Sequence, residues 1–240
     1  MSAETPLLRA AGLRREYDGF IALDSLDLTV GAGELVALIG PNGAGKSTFL
    51  NLAAGLLESS SGAVTVSGQL AGTIEARRDL SFLPDTPVFY EDLSIAEHLG
   101  YIAALHETED AAARIEALLE GFGLAEWDDA LASELSHGMK QKASIALALV
   151  RPFRVLLADE PFDGLDPPSR AVLFDLLAEA RAGGAAIVVS THRPDVIAAA
   201  GRCLGIREGR LAYDGTADPA AIAEFFDDEE IAGSGKAAGS

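Results

Sequence analysis

Cysteine is almost absent from this sequence of 240 residues, which contains only Cys203. A single cysteine excludes an internal disulfide and suits a reducing compartment, and we interpret it as a small core residue with no catalytic role. No apolar run approaches the roughly 18 residues that a membrane-spanning helix needs, and the N-terminus lacks the basic and then apolar pattern of a signal peptide. We therefore expect a cytoplasmic chain that would need a separate membrane-spanning subunit for any work at a membrane.

Basic residues are also scarce, since 18 lysines and arginines face 37 aspartates and glutamates and give a net charge of -19. Such a surface repels nucleic acid and anionic lipid headgroups, so nucleic acid is not expected as a partner. Hydrophobic residues make up 49% of the chain and can fill a substantial core. Composition therefore predicts a soluble globular protein.

The first part of the chain alternates apolar segments with a helical pattern. Strands are predicted at residues 26–30 and 35–39, and the second is a continuous apolar run that ends in glycine, as a buried central strand does. A glycine-rich loop follows, then a predicted helix over residues 46–57 and a predicted strand over residues 63–66. The order is strand, loop, helix, strand.

Residues 94–150 change character, because they are rich in Ala, Leu and Glu and predict a mainly helical insertion. After it, apolar runs at residues 155–158 and 185–189 flank a helix-like segment at residues 169–181. Strands that alternate with helices predict a mostly parallel α/β sheet, whose ligands gather at the carboxyl ends of the strands.

Residues 40–48 read GPNGAGKST, a full match to the phosphate-binding pattern G-x-x-x-x-G-K-[ST], between a predicted strand and a predicted helix. The glycines let backbone N–H groups turn towards phosphate oxygens, and the helix N-terminus adds partial positive charge. Lys46 is predicted to reach the β- and γ-phosphates, Ser47 to ligate Mg²⁺ and Thr48 to bond another phosphate. The alternative is a glycine-rich turn that caps an ordinary helix. We assign nucleotide binding to Gly40, Pro41, Asn42, Gly43, Ala44, Gly45, Lys46, Ser47 and Thr48.

Residues 155–161 read VLLADEP, an apolar strand with two adjacent carboxylates at its end. Asp159 is predicted to hold Mg²⁺, directly or through water, and Glu160 to orient and polarise the attacking water. Acidic residues are common at strand ends, so the pair gains its meaning from the phosphate-binding loop. An Mg-nucleotide site needs a carboxylate on a neighbouring strand.

Residues 135–142 read LSHGMKQK, which resembles the LSGGQ signature of ATP-binding-cassette (ABC) ATPases. Ser136 and Gly138 match its key positions, whereas His137 and Met139 replace a glycine and a glutamine, as in a variant of exporter-type subunits. In that family the loop caps the γ-phosphate held by the partner subunit, so the resemblance implies a head-to-tail pair with ATP between the domains. From the residues alone, Ser136 is an N-cap for the next helix, and the two roles are compatible.

Three further residues resemble family positions. Tyr17 resembles the aromatic residue that stacks on adenine, Asp166 lies in a segment that resembles the D-loop of the dimer contact, and His192 resembles the switch histidine that touches the γ-phosphate. An ordinary half-buried tyrosine and a structural histidine are the alternatives. His98 and His106 have no metal-ligand companions at suitable spacing, and we expect both at the surface.

Asp85 departs from the family pattern, because it occupies the position of the Q-loop glutamine within FLPDTPVFYEDL. Aspartate keeps an oxygen that can ligate Mg²⁺ or water, but it loses the amide donor and adds negative charge beside a triphosphate. Our hypothesis is that Asp85 still couples the nucleotide to the transporter, with an altered Mg²⁺ dependence or hydrolysis rate.

The family's sequence blocks occur in order over residues 17–192, so the resemblance covers most of the chain. It implies an α/β fold of the P-loop NTPase class: a RecA-like core with a mostly parallel sheet, a small antiparallel β subdomain and a helical subdomain. The expected division of the single domain, residues 1–240, is a core at 1–85 and 153–215, a helical lobe at 86–152, and a C-terminal segment with a disordered tail at 216–240.

The resemblance also implies a function, with ATP and Mg²⁺ as cofactors. ATP would close the chain onto a second ATP-binding subunit, and hydrolysis would drive a separate integral membrane permease from the cytoplasmic face of the membrane. Residues 83–99 together with LSHGMKQK most resemble exporter-type subunits with a separate permease, which favours export, although importer subunits share the same core motifs. A soluble ABC ATPase of DNA repair or translation is disfavoured by the net charge and by the short interval between Ser47 and Ser136. A poorly hydrolysing regulatory subunit is the other alternative, and only Asp85 leaves room for it.

Overall fold

The computed structural model describes residues 5–217 and Ile222, so most of the C-terminal segment expected at 216–240, with its tail, lies outside the described residues. The strands are β1 (Leu8–Tyr17), β2 (Phe20–Val30), β3 (Leu35–Ile39), β4 (Ser61–Val66), β5 (Gln69–Leu70), β6 (Leu80–Leu83), β7 (Val155–Asp159), β8 (Ala186–Ser190), β9 (Arg202–Arg207) and β10 (Arg210–Gly215). The helices are α1 (Lys46–Ala53), α2 (Ile74–Asp79), α3 (Ile95–Leu105), α4 (Ala111–Gly121), α5 (His137–Val150), α6 (Pro167–Ala182) and α7 (Pro194–Ala199).

The core sheet has the strand order β10-β9-β3-β8-β7-β6, and every pair in it is parallel except β9 with β10. All residues of β3, β7 and β8 are buried, as expected for central strands covered on both faces. Along β3, Leu35 and Ala37 pack into the hydrophobic cluster of the helical insertion, whereas Val36 and Leu38 pack into the cluster that contains α1. The predicted mostly parallel core is confirmed.

A second sheet, of order β2-β1-β4-β5, is antiparallel throughout. Its β1–β2 hairpin turns at Asp18 and Gly19, which both have positive φ, so the two-residue loop has the twist that closes a tight hairpin. This turn sets Tyr17 opposite Phe20 at the hairpin tip. The predicted antiparallel subdomain is confirmed, and its tip supplies one end of the site described below.

Helix α1 ends four residues before the predicted limit of residue 57. The chain turns at Gly55, whose φ is 69°, and a Cβ there would lie 2.3 Å from the Cα of Gly72. The amides of Leu56 and Leu57 both donate to the carbonyl of Asn51, which completes the C-terminal turn. The predicted limit was too late because Leu56 and Leu57 continue the apolar pattern beyond Gly55, where the helix has already ended.

Helices α3, α4 and α5 pack on one another within residues 86–152. The prediction that His98 lies at the surface is wrong, because His98 is 5% exposed within α3, and His106 is half-buried. The missing metal companions excluded a metal site but carried no information on burial. Among the described residues no helix is both long enough and apolar enough to span a bilayer.

Candidate nucleotide-binding site

The loop between β3 and α1 has a conformation that only glycine permits at two positions. Gly40 has φ 147°, and a Cβ there would lie 2.2 Å from the carbonyl oxygen of Ile206. Gly45 has φ 110°, and a Cβ there would lie 2.7 Å from the carbonyl oxygen of Ala22. The loop is therefore held tightly on its outer side and curls around an open inner side.

Helix α1 begins with an uncapped N-terminus, because Gly45 has no side chain to accept from the first amides and the first turn contains no acidic residue. These free N–H groups and the helix dipole favour a bound anion. The Lys46 ammonium lies across the loop and donates to the carbonyl oxygens of Gly40, at 2.5 Å, and Pro41, at 3.1 Å. Both of these partners are neutral, so Lys46 keeps its positive charge available to a phosphate.

Two carboxylates lie at the end of β7 and are fixed from β8. Asp159 is buried, and its Oδ1 accepts a 2.5 Å hydrogen bond from the Ser190 hydroxyl. The same hydroxyl accepts from the Glu160 amide at 2.8 Å. Glu160 has φ 46°, a left-handed conformation that this bond helps to hold. Ser190 was not among the predicted site residues, although its position at the end of an apolar strand beside His192 was an available indication.

The Glu160 side chain points into a pocket with His192. Its Oε2 is buried without a hydrogen-bond partner and lies 3.3 Å from the Nδ1 of His192. Burial raises the pKa of Glu160 above its ordinary value, and the nearby His192 opposes that rise. A buried carboxylate oxygen with no donor is suited to accept a proton or to orient a water.

One cleft of about 380 Å³ brings most of the predicted residues together. Its lining consists of Tyr17, Phe20, Ala22, Pro41, Asn42, Gly43, Gly45, Lys46, Ser47, Thr48, Asp85, Asp159 and Glu160. Gly40 and His192 line an adjoining cleft of about 510 Å³, together with Asp163. Ala44 faces neither cleft, because its side chain is buried and its amide donates to Pro41. Among the described residues, Lys46 is the only cation that lines the first cleft, where it faces three carboxylates.

Ser136, Gly138 and Asp166 lie outside both clefts. Ser136 caps α5 by accepting from the Met139 amide, and a Cβ on Gly138 would lie 3.4 Å from the Gly164 carbonyl oxygen. Asp166 caps α6 and pairs with Lys142 at 2.5 Å.

The Lys142 ammonium lowers the pKa of Asp166 to about 2, and the Ser169 amide contributes. The signature loop and the segment after β7 therefore contact each other and leave this chain's own cleft free. Their role towards a partner's nucleotide stays a prediction.

Phe20 and Ala22 line the cleft but were not among the predicted residues, although for Phe20 an aromatic residue across a tight turn from Tyr17 was an available indication. Its side chain is 65% exposed, and the Arg15 guanidinium covers the Tyr17 ring at 4.3 Å. Directly opposed strand residues project to one face, so Phe20 offers an exposed ring to a nucleotide base beside Tyr17, whose ring is partly covered by Arg15.

We expect Phe20→Ala to raise the KM for ATP about tenfold with kcat unchanged, because one aromatic contact with a base is lost. Steady-state phosphate release measures both constants. Leu70→Ala is the matched control, since Leu70 is 55% exposed and lies outside the cleft. An unchanged KM in the Phe20 variant would mean that the base does not reach the hairpin tip.

Comparison with known proteins agrees with this geometry. The family model described as ABC transporter matches residues 23–163. The SkfA peptide export ATP-binding protein SkfE of Bacillus subtilis is 33% identical over 211 residues, which cover 87% of this chain and 88% of that protein. The human retinal-specific phospholipid-transporting ATPase ABCA4 is 38% identical over 200 residues, 81% of this chain but only 9% of that protein. A solved ATP-binding subunit of an ABC transporter superposes with a TM-score of 0.85 at 32% identity, covering 95% of this chain and 98% of that one.

An uncapped helix after a glycine loop, facing carboxylates at the ends of parallel strands, defines a P-loop nucleotide-binding protein. Within that class, the chain belongs to the ABC transporter family. The predicted family and fold are thereby confirmed.

Proposed function

We propose that the chain binds ATP with Mg²⁺ and hydrolyses it. The observation that carries this proposal is the single cleft in which Lys46 and the open N-terminus of α1 face Asp159 and Glu160. Lys46 would hold the β- and γ-phosphates, Glu160 would orient the attacking water, and His192 would contact the γ-phosphate.

The residues that line the cleft fit both ATP and Mg²⁺. The glycine loop leaves its inner side free for phosphate oxygens, since a Cβ on Gly43 would meet nothing within 4 Å. Ser47, Asp85 and Asp159 supply the oxygen ligands that Mg²⁺ prefers, and the cation would offset charge on the triphosphate.

Phosphate release from ATP by the purified chain tests the activity. We expect turnover in Mg²⁺ and its loss when the cation is chelated, because the carboxylates and the triphosphate then repel each other. A chain that binds ATP but releases no phosphate would argue for the regulatory alternative.

We propose further that two ATP-binding subunits work as a pair. The placement of Ser136 and Gly138 outside their own cleft supports this, because a helix N-terminus at α5 is then free to face a nucleotide held by the partner. The pair would be head-to-tail, with ATP at the contact.

A separate membrane permease is the second proposed partner. It would dock in a groove of about 420 Å³ that we call the interlobe groove. Its walls include residues 88–90, His98 and Tyr101 from α3, and Arg151 after α5. Val88, Tyr90 and Tyr101 are 79%, 59% and 50% exposed, an aromatic and aliphatic surface that suits a docked helix. The chain would then sit on the cytoplasmic face of the membrane.

Export is the proposed direction of transport. The relative SkfE is named as a peptide export protein, and it matches this chain over most of both lengths. The human relative is named for phospholipid transport, and the chain spans 9% of it. The proposal therefore concerns transport driven by this chain and leaves the cargo open.

Asp85 gives the regulatory alternative its one supporting observation, since it adds a third carboxylate to the cleft. We expect Asp85→Gln to raise the Mg²⁺ concentration for half-maximal activity about two- to fivefold, because one charged oxygen ligand is lost. A magnesium titration of phosphate release measures this. Asp92→Gln is the control, as it makes the same change on an exposed residue of the same segment. If activity and Mg²⁺ dependence both stay at the parental values, Asp85 has no role at the nucleotide.

A further inference from the structure

One short irregular segment, residues 85–92, connects the nucleotide cleft to the interlobe groove. Asp85 lines the cleft, and residues 88–90 line the groove. Among the backbone N–H groups of this segment, only that of Tyr90 donates a hydrogen bond within the described part of the chain. The acceptor is the Nε2 of His98, at 2.8 Å. Within the described part of the chain, this hydrogen bond holds the backbone of the segment, beside the packing of Phe89 against the core.

The hydrogen-bond partners of His98 indicate which ring nitrogen carries the proton. Its Nε2 accepts from the Tyr90 amide, so its Nδ1 must carry the proton that is donated to the Ser94 carbonyl at 2.7 Å. The ring also meets Phe89 edge-on at 5.5 Å and stacks on Tyr90 at 5.8 Å between centroids. A buried neutral imidazole thus binds the segment by one hydrogen bond and two ring contacts.

We propose that neutral His98 is a positioning residue that fixes residues 88–90 as a wall of the interlobe groove, and thereby transmits a change at Asp85 to that wall. The role of this contact in transport rests on the proposed ATPase and on a permease helix in the groove. The contact between His98 and residues 88–90 lies within this chain alone.

Loss of the Nε2 acceptor would leave the Tyr90 amide without its hydrogen bond, and the segment would then be held at His98 by ring contacts alone.

Hydrogen–deuterium exchange of the full chain, with and without MgATP, tests the proposal. In His98→Phe the ring remains but the acceptor is lost, and the Tyr90 amide is expected to exchange about tenfold faster. His98→Gln supplies a carbonyl acceptor and an amide donor, so it should restore the parental rate. MgATP should change exchange of the peptide spanning 88–92 in the parent and in His98→Gln, but not in His98→Phe.

A second variant keeps the test valid if His98→Phe folds poorly. His98→Leu also removes the acceptor but has a smaller side chain, and the same faster exchange of the Tyr90 amide is expected. Equal Tyr90 exchange in the parent and in a folded His98→Phe or His98→Leu overturns the proposal. Failure to bind ATP, measured separately by nucleotide fluorescence, would refute the proposed function and leave the apo exchange contrast as the test of His98.

Discussion

Replacing Glu160 by glutamine is expected to slow ATP hydrolysis by about 10²- to 10⁴-fold while ATP still binds. Glutamine has the shape of glutamate but cannot accept the proton of the attacking water. The structure isolates this effect, because the contact that positions residue 160 runs from its backbone amide to Ser190 and is kept in the variant. The buried Oε2 beside His192 is the atom that changes.

Phosphate release measures the loss of activity. Size-exclusion chromatography in MgATP should show the variant accumulating as a dimer, because the bound ATP is not hydrolysed and the dimer does not dissociate. Glu208→Gln is a matched control, since Glu208 also has a left-handed backbone, with φ 50° against 46° for Glu160, and is exposed in a turn. Near-parental turnover by the Glu160 variant would mean that another group is the general base. Asp163 would then be the next residue to change, because its side chain forms a cluster with Glu160 and His192 whose ligand atoms lie within 4.8 Å of one another.

The chain order of strand, glycine loop and helix was enough to predict the phosphate-binding end of the site. At Gly40 and Gly45 the loop admits no other residue, because an added Cβ would lie only 2.2 Å or 2.7 Å from a backbone oxygen. The local sequence therefore encodes the shape of the loop. Asp159 and Glu160 could be placed for a related reason, since the ends of buried parallel strands meet at one edge of the sheet.

Residues whose role depends on a long-range partner could not be predicted in the same way. Ser190 acts on Asp159 across two neighbouring strands, and Phe20 joins the cleft only because the hairpin tip reaches the loop. His98 was assigned to the surface on its sequence neighbours, whereas its two hydrogen bonds and its ring contacts with Phe89 and Tyr90 bury it. Strands β9 and β10 were not predicted, because their pairing with β3 and with each other, rather than a long apolar run, defines them.

A mixture of two inactive variants is expected to regain activity if the signature loop acts on a partner's nucleotide. Lys46→Ala removes the only cation that lines the first cleft, and we expect it to reduce turnover about 100-fold or more. Ser136→Asp keeps the cap of α5, because aspartate is a good N-cap, but it places a negative charge where a phosphate of the partner would lie. Each variant alone should therefore fold and fail to turn over ATP.

Mixed in equal amounts, the two variants should recover about a quarter of the parental rate, because half of the pairs are mixed and each mixed pair keeps one intact site of two. The recovery depends on geometry alone: the intact site combines Lys46 of one subunit with Ser136 of the other. If Ser136 instead served the cleft of its own chain, no pairing could unite the two residues and the mixture would stay inactive. Melting temperatures of both variants must match the parent, and Ser136→Asn, which also keeps the cap but adds no charge, should lose much less activity than Ser136→Asp.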